Sequence, residues 1–526
     1  MNVRKLLVFL SLSLFLLSCG KEETKEVAEV GVLRSVEVSI TEDIVVPING
    51  SVPISFKVID ASFPFSLSQD VNLFLSSGQP ATDFSLAEIR QDGGMGSYSA
   101  LIKDNGINKE YSAQVRLGVR SAKGKEEYVF SSPFTVRREN WKDLHTGLPV
   151  LFLDTEGNKD IVSKTDYLSA TLAVWEEESG LGEPMPCSVR GRGNTTWQWP
   201  KKPYLVKLDS KESLLGMKKH KRWVLLANFM DKTLMRNMVA MKVSSLTSLD
   251  WTPSCKPVEL ILNGRHVGNY LLIEQVRADK DRVPVTDGYL MECDFHFDNE
   301  VQWLDPHGRC NRFPDGIPFA VKHPDPDDIT PDQEAYIKHY IYDTAEAIYG
   351  PDFKDPEKGY AAYIDVDSYI DYWIVYEVMG NAALSNPGSI FCHKAEGGKL
   401  KAGPCWDFDW GVLSFITVPN AKTGLLHRKA MWYARLFEDP EFLARAKARY
   451  QELLPELETI PAYIESLRVT LSYSAERNFR IWDPAQDASQ NGGKIINGDE
   501  NMTFDAAVDR LKANYIERLK VISNSL

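Results

Sequence analysis

Residues 401–410 read Lys-Ala-Gly-Pro-Cys-Trp-Asp-Phe-Asp-Trp, and the reading of this stretch decides what kind of domain the chain builds around it. A polar turn, Glu396-Gly397-Gly398-Lys399, leads in, and Leu400, Ala402 and Cys405 carry the chain to Trp406. On an extended segment, residues two apart point to the same side. Asp407 and Asp409 are then predicted to share one face, with Trp406, Phe408 and Trp410 on the other. Carboxylates are rarely buried without a partner, and two this close raise each other's pKa unless a cation lies between them. A hard divalent ion such as Mg²⁺, which takes carboxylate oxygens together with substrate phosphates, suits that arrangement. A strand end whose aspartates accept backbone N–H or arginine bonds fits the same letters, and the decapeptide alone leaves both readings open.

Upstream, residues 148–278 mix strand and turn signals. Residues 189–197 form a basic, glycine-rich turn in which Gly191 and Gly193 permit close backbone approach. Arg190 and Arg192 there present guanidinium forks suited to phosphate or carboxylate. The turn is not a Walker A loop, and an arginine-capped structural turn explains it equally. In residues 204–208, Leu205 and Lys207 alternate with Tyr204, Val206 and Leu208, the period of a strand with two unlike faces. Asp231 stands where it would cap a helix over 232–246, with Leu234, Met238 and Met241 on one face. Strands at 258–262 and 267–274 flank Asn263-Gly264, the strongest short hairpin signal. Glu274 ends the second of them and calls for a cationic partner. Downstream, Thr330-Pro331-Asp332-Gln333 predicts a capped helix over 331–349. Further helices are expected over 366–379, 440–467 and 502–522.

Taken together, RGRGNTTW, KKPYLVKL, LLGMKKHKRWVLLANFMDKTLMRN, LILNGRHVGNYLLIEQV and KLKAGPCWDFDWG resemble the spore-coat protein H (CotH) kinase-like family, in order from about residue 148 onward. The resemblance implies an atypical protein-kinase-like fold that uses ATP and a divalent metal, Mg²⁺ or Mn²⁺, some members phosphorylating secreted proteins. It implies that Asp407 is the metal-binding aspartate, with Asp409 as a shared or outer ligand. Lys207 and Glu274 are the candidates for the lysine–glutamate pair that holds nucleotide phosphates, beside Arg190 and Arg192.

The chain departs from the family at one point. An Asn-x-Asp segment upstream of the metal aspartate supplies the base in the spore-coat members. Here Asn381 is present, but Ala383 stands where the aspartate belongs. General-base assistance contributes roughly 10²–10⁴-fold, and that contribution is missing unless another group supplies it. Glu377, one helical turn before Asn381, is the candidate substitute.

At the other end, residues 1–19 carry Arg4-Lys5, an apolar run and Leu16-Leu17-Ser18-Cys19, the pattern of a lipoprotein signal peptide with Cys19 as the lipidated residue. A polar linker over 20–32 follows. Short alternating runs between 33 and 137, separated by Gly, Asn, Asp and Ser clusters, predict an antiparallel, Ig-like β-sandwich. The expected whole is α+β: that sandwich, then a kinase-like domain over 148–526. The address that follows is membrane attachment through the lipid, facing the periplasm or the cell surface. A net charge of −13 argues against a nucleic-acid partner, which needs a basic surface. The six cysteines after Cys19 contain no CxxC pair, so no zinc site is expected. Three functions fit these residues: a kinase-like enzyme acting on an exported protein, a nucleotide-binding pseudokinase, or a surface adhesion protein. The last would bind a glycan or protein through the sandwich and the Trp197-Gln198-Trp199-Pro200 turn.

Overall fold

The computed structural model describes residues 35–526 apart from 41–42, 48–49, 60–70, 94–95, 106–111, 121–127, 140–142, 144–145, 295–300, 312 and 486–495. The expected signal peptide, Cys19 and the linker therefore lie outside the described residues. The chain divides into two compact units that meet between Arg138 and Glu139.

Among its described residues the first unit has nine strands: β1 (Ser35–Val38), β2 (Ile44–Val46), β3 (Ser51–Ile59), β4 (Val71–Leu75), β5 (Phe84–Gln91), β6 (Ser97–Asp104), β7 (Ser112–Arg120), β8 (Tyr128–Phe130) and β9 (Phe134–Arg138). They form two sheets, β1-β3-β6-β5 and β2-β9-β7-β4 with β8 beside β7. All pairs are antiparallel except β2–β9. Alternate residues of both sheets, among them Ile54, Phe56, Val58, Ile102, Val115, Leu117 and Val136, fill one shared core.

The second unit begins with a closed barrel. Strands β10 (Val150–Thr155), β11 (Leu168–Glu176), β12 (Gly180–Leu181), β13 (Met185–Gly191), β14 (Tyr204–Glu212), β15 (His220–Leu226), β16 (Cys255–Leu262) and β17 (Arg265–Glu274) run in the order β10-β16-β17-β15-β14-β13-β11-β12, and β10 also pairs with β11. That last pairing joins the two ends, so seven strands close on themselves and β12 hangs from β11. Closure gives each strand an inside and an outside. Val189, Val206, Leu208, Trp223, Leu225, Tyr270 and Leu272 point inward and fill the lumen. The alternate positions Leu205, Val224, Leu271 and Ile273 point outward into a second, larger core. The Asn263-Gly264 hairpin forms as its sequence predicts, with both residues at positive φ (51° and 74°).

That larger core joins the barrel wall to helices and a five-stranded sheet, ordered β19-β20-β18-β21-β22: β18 (Tyr289–Cys293), β19 (Gln302–Asp305), β20 (Ile317–His323), β21 (Ile390–Lys394) and β22 (Leu400–Ala402). Helix Val366–Val378 runs through its centre with twelve of its thirteen residues buried. Helix Pro331–Tyr349 carries the predicted capping box between Thr330 and Gln333. The single helix expected over 440–467 is two, Pro440–Leu457 and Ile460–Ile481, and Phe504–Ser525 closes the unit. The helix expected over 232–246 is shorter, Arg236–Ser244, because Asp231 does not cap it in the ordinary way. Its carboxylate instead gathers the N–H groups of Thr233 and Arg236, the Thr233 hydroxyl and the Arg236 guanidinium, which keeps 231–235 out of the helix.

Candidate active site

The Asp407 loop leaves β22 and follows no strand geometry from Gly403 to Asp409. Asp407 takes a left-handed conformation, φ 63°, unusual for a residue with a side chain and held only where surroundings over-determine it. Those surroundings come from three distant segments. The Phe408 N–H donates to Asn237 Oδ1 at 2.8 Å, and the buried Phe408 ring packs on Tyr376, centroids 4.8 Å apart. Asn497 donates to the Asp409 carbonyl (3.0 Å) and accepts from the Gly411 N–H (2.9 Å). Arg236 donates to the Val412 carbonyl at 2.9 Å, its guanidinium buried between Asp231 and Asp499. The two carboxylates thus converge through a turn, not through strand alternation. Of the three aromatics, Trp406 and Phe408 are buried but Trp410 is 52% exposed, so the extended-strand expectation is corrected here.

Asp407 is exposed to solvent, on a loop with Trp406 and Phe408 buried on either side of it. Burial pushes its carboxyl pKa up and Asp294 adds to the rise, while Arg192 and a hydrogen bond with Asp409 oppose it. Asp409 is driven well above the usual carboxylate range, first by burial, then by the charges of Asp407 and Asp231. Arg192 lies over the Trp406 ring, 5.8 Å from guanidinium carbon to centroid, and feels Asp407, Asp409 and Glu292. Glu292 on β18 pairs with Lys322 on β20 at 2.9 Å, and the Ser389 N–H donates to Asp294 at 2.9 Å. Two carboxylates thus stand together with Arg192 and Asp294 near them, and the Lys322–Glu292 pair lies beyond Arg192.

A divalent cation fits this donor set, because two adjacent carboxylates favour a cation between them. Among the described residues no group of three or more His, Cys, Asp or Glu side chains is arranged to hold a metal ion. Two carboxylates would leave most coordination positions to water and phosphate oxygens, the manner in which Mg²⁺ binds. The Nδ2 amide of Asn237, whose oxygen holds the Phe408 N–H, is buried with no partner and is a further donor beside the loop.

Not every residue singled out in the sequence reaches these carboxylates. Lys207 and Glu274 cannot form the expected pair, because they point to opposite faces of the barrel wall. Glu274 lies opposite Trp223, and Trp223 lies opposite Val206, whose side chain fills the lumen. Lys207 is the next residue along, so it points outward and is exposed. Glu274 instead pairs with Arg282 at 2.8 Å and accepts the Ser254 N–H at 2.9 Å. A different lysine–glutamate pair, Lys322–Glu292, lies nearby, its glutamate close enough for Arg192 to feel its charge. Arg190 lies outward of Arg192, its guanidinium 5.2 Å from the centroid of Tyr167 and donating to the Lys164 carbonyl.

Glu377 is not placed to act as a base. It is fully buried and ion-paired to Arg518, and it accepts the N–H groups of Leu426 (3.0 Å) and His427 (2.6 Å). Burial raises its pKa against those partners, as it would for a catalytic acid, but the geometry is that of a structural clasp. Asn381 is likewise committed. Its side-chain oxygen accepts the Ala383 N–H at 2.8 Å, and its carbonyl accepts from His427 at 2.6 Å. The aromatic turn is half used as well, since Trp199 is buried against Phe229, Met230 and Ile496.

Sequence reasoning missed Glu292, Asp294, Lys322, Asn237 and Asn497, all brought to the loop by tertiary contact. Only the run Glu292-Cys293-Asp294, with acids two apart at a strand end, offered a signal of the kind that marked Asp407.

A barrel joined to a helical core, with Asp407 and Asp409 on the loop after β22, defines a mixed α+β protein. The chain belongs to the CotH kinase protein family: the family model matches residues 189–522, more than half of the 526 residues. No curated protein matches the chain.

Proposed function

We propose that the protein binds ATP with Mg²⁺ or Mn²⁺ in the cleft above Asp407 and transfers phosphate to a hydroxyl of an exported protein. The observation that carries this is the Asp407–Asp409 pair, held by Asn237 and Asn497 and faced by Arg192. Asp407 and Asp409 would hold the metal, which when bound neutralises charge on the transferring phosphoryl group. Arg192 and the Lys322–Glu292 pair orient the phosphates, and Arg190 and Lys207 lie on the approach to them. The barrel then serves as the small lobe of an atypical kinase and the helical core as the large one. Export as a lipoprotein through Cys19, with the N-terminal unit as an Ig-like spacer, completes this reading.

Phosphoryl transfer depends mostly on positioning and electrostatics. The site therefore keeps its principal machinery without an aspartate at 383. A second reading, a nucleotide-binding pseudokinase, is favoured by one specific observation: Ala383 carries no carboxylate, and Glu377 and Asn381 are both committed elsewhere. Calorimetric titration of ATP into the full chain, with and without Mg²⁺, tests the first step. Metal-dependent binding that Asp407→Ala abolishes and Asp409→Ala weakens less is the expected result. Absence of nucleotide binding with either metal overturns both readings.

A further inference from the structure

Three cations stand side by side on the outside of the barrel wall. Lys207 lies directly opposite Ser188 on β13 and Arg222 on β15. Arg190 lies opposite Leu205, two residues before Lys207 and on the same outward face. Directly opposed residues on paired strands have Cβ atoms about 5 Å apart, and like charges so placed destabilise a sheet. Among the described residues none of the three, nor Arg192, has a carboxylate within 4.0 Å. Other exposed lysines nearby do find one, Lys211 with Asp279 and Lys218 with Asp281. Asp209, on the same face beyond Lys207, forms no ion pair with it.

Tyr167 organises the group. Its hydroxyl accepts from Arg222 Nη1 at 3.1 Å, and its ring lies under Arg190. Burial alone would raise the phenol's pKa, but Arg190 and Arg222 outweigh it and hold the group below its usual value. Fixed in this way, the cations form a stripe from Arg222 through Lys207 and Arg190 to Arg192 at the cleft floor. From Arg222 to Arg192 it crosses two strand spacings and four residues of rise, about 16 Å, the length of about five residues of extended chain.

We infer that this stripe docks an acidic segment of the acceptor protein, with carboxylates at alternate positions, and leads its hydroxyl residue to the floor above Asp407. The occupant follows from charge and position. The stripe is positive on a chain of net charge −13, which disfavours nucleic acid and anionic membranes over the rest of the surface. It is continuous with the floor, yet Arg192 and Lys322 already supply cations there for nucleotide phosphates. A strand-like peptide beside β14 places every second side chain toward the cations. The inference rests on the phosphotransfer reading of the cleft for the destination of the hydroxyl, though not for binding itself.

The test is fluorescence anisotropy on the full chain. The probe is a short labelled peptide with Glu at alternate positions around one Ser, and the control is its Gln counterpart. The Glu peptide should bind with affinity that falls as salt rises, and the Gln peptide about tenfold more weakly. Arg222→Glu should cost about tenfold for the Glu peptide, Arg222→Lys far less, and neither should change metal-dependent ATP affinity or melting temperature. Equal binding of the two peptides, an unaffected Arg222→Glu variant, or displacement of the peptide by Mg–ATP would overturn the proposal. So would tight binding of anionic vesicles or a sulfated glycan where the peptide fails. Peptide discrimination lost in Arg222→Glu, in a protein that binds no nucleotide, would support the docking stripe and refute the phosphotransfer reading alone.

Discussion

Replacing Glu377 by alanine is expected to unfold the second unit far more readily, and the structure sets the size of the effect. The carboxylate pairs with a guanidinium that is itself fully buried, and it accepts two backbone N–H groups, from Leu426 and His427. Breaking a buried pair by removing one partner costs about 3–5 kcal/mol, because the other charge is left behind. Arg518 keeps three carbonyl acceptors at 2.6 Å, those of Glu377, Ala421 and Gly424, which soften its isolation. The two orphaned N–H groups each add about 1–3 kcal/mol, not additively. A loss of about 4 kcal/mol follows for Glu377→Ala, and about half of that for Glu377→Gln, which keeps an acceptor and the shape. Tryptophan fluorescence during urea unfolding reads this directly, since all twelve tryptophans lie beyond Arg138 and report on this unit only. The midpoint should fall by about 1–2 M for the alanine variant. A shift below about 1 kcal/mol, together with abolished phosphate transfer, would refute the structural assignment and restore Glu377 as a base.

Other outcomes follow from the same geometry. Ala383→Asp should leave ATP affinity nearly unchanged yet raise transfer from γ-labelled ATP to an acceptor hydroxyl, because a base acts in the transition state and little in nucleotide binding. Lys322→Ala should weaken Mg–ATP binding more than Lys207→Ala, as titration calorimetry would show; the reverse order would return the phosphate lysine to β14. Lys201 is buried, donates to Asn478 Oδ1 at 2.8 Å and to the Asn269 carbonyl, and has its pKa lowered by burial to about 7. The unfolded chain binds that proton up to its ordinary pKa near 10.5, so between pH 7 and 10 the unfolded state holds more protons and stability rises with pH. The slope is on the order of 1 kcal/mol per pH unit at most, and Lys201→Met should flatten it in urea melts. Cys19→Ala should release the protein from membranes, and unchanged sedimentation of that variant would argue against a lipid anchor.

What the letters revealed followed the rules of local periodicity. The Asn263-Gly264 hairpin, the Thr330 capping box and helix Val366–Val378 were legible because turn chemistry and spacing act over a few residues. Lys207 was legible as lying on the opposite face of β14 from Tyr204, Val206 and Leu208, though not as exposed, since Leu205 on its own face is buried. Glu274 was not, because β17 is buried on both faces, lumen and helical core, and so shows no alternation from which to read its side. Barrel closure by the β10–β11 pairing, which gives the wall two faces, depends on contacts no window contains. The candidate site divides in the same way. Asp407 and Asp409 stand together in the text, whereas Arg192, Glu292, Lys322, Asn237 and Asn497 meet them only after folding.

The clamp on the Asp407 loop draws on residues 236, 237, 497 and 499, which sets a timetable for the cleft during synthesis. When the ribosome has added the segment up to Trp410, Arg236 can already meet Asp231, but the asparagine that fixes the Asp409 and Gly411 backbone has not been made. The carboxylates acquire their fixed orientation only once Asn497 has emerged. A product ending before Asn497 would carry both aspartates and lack the asparagine that fixes the backbone around them.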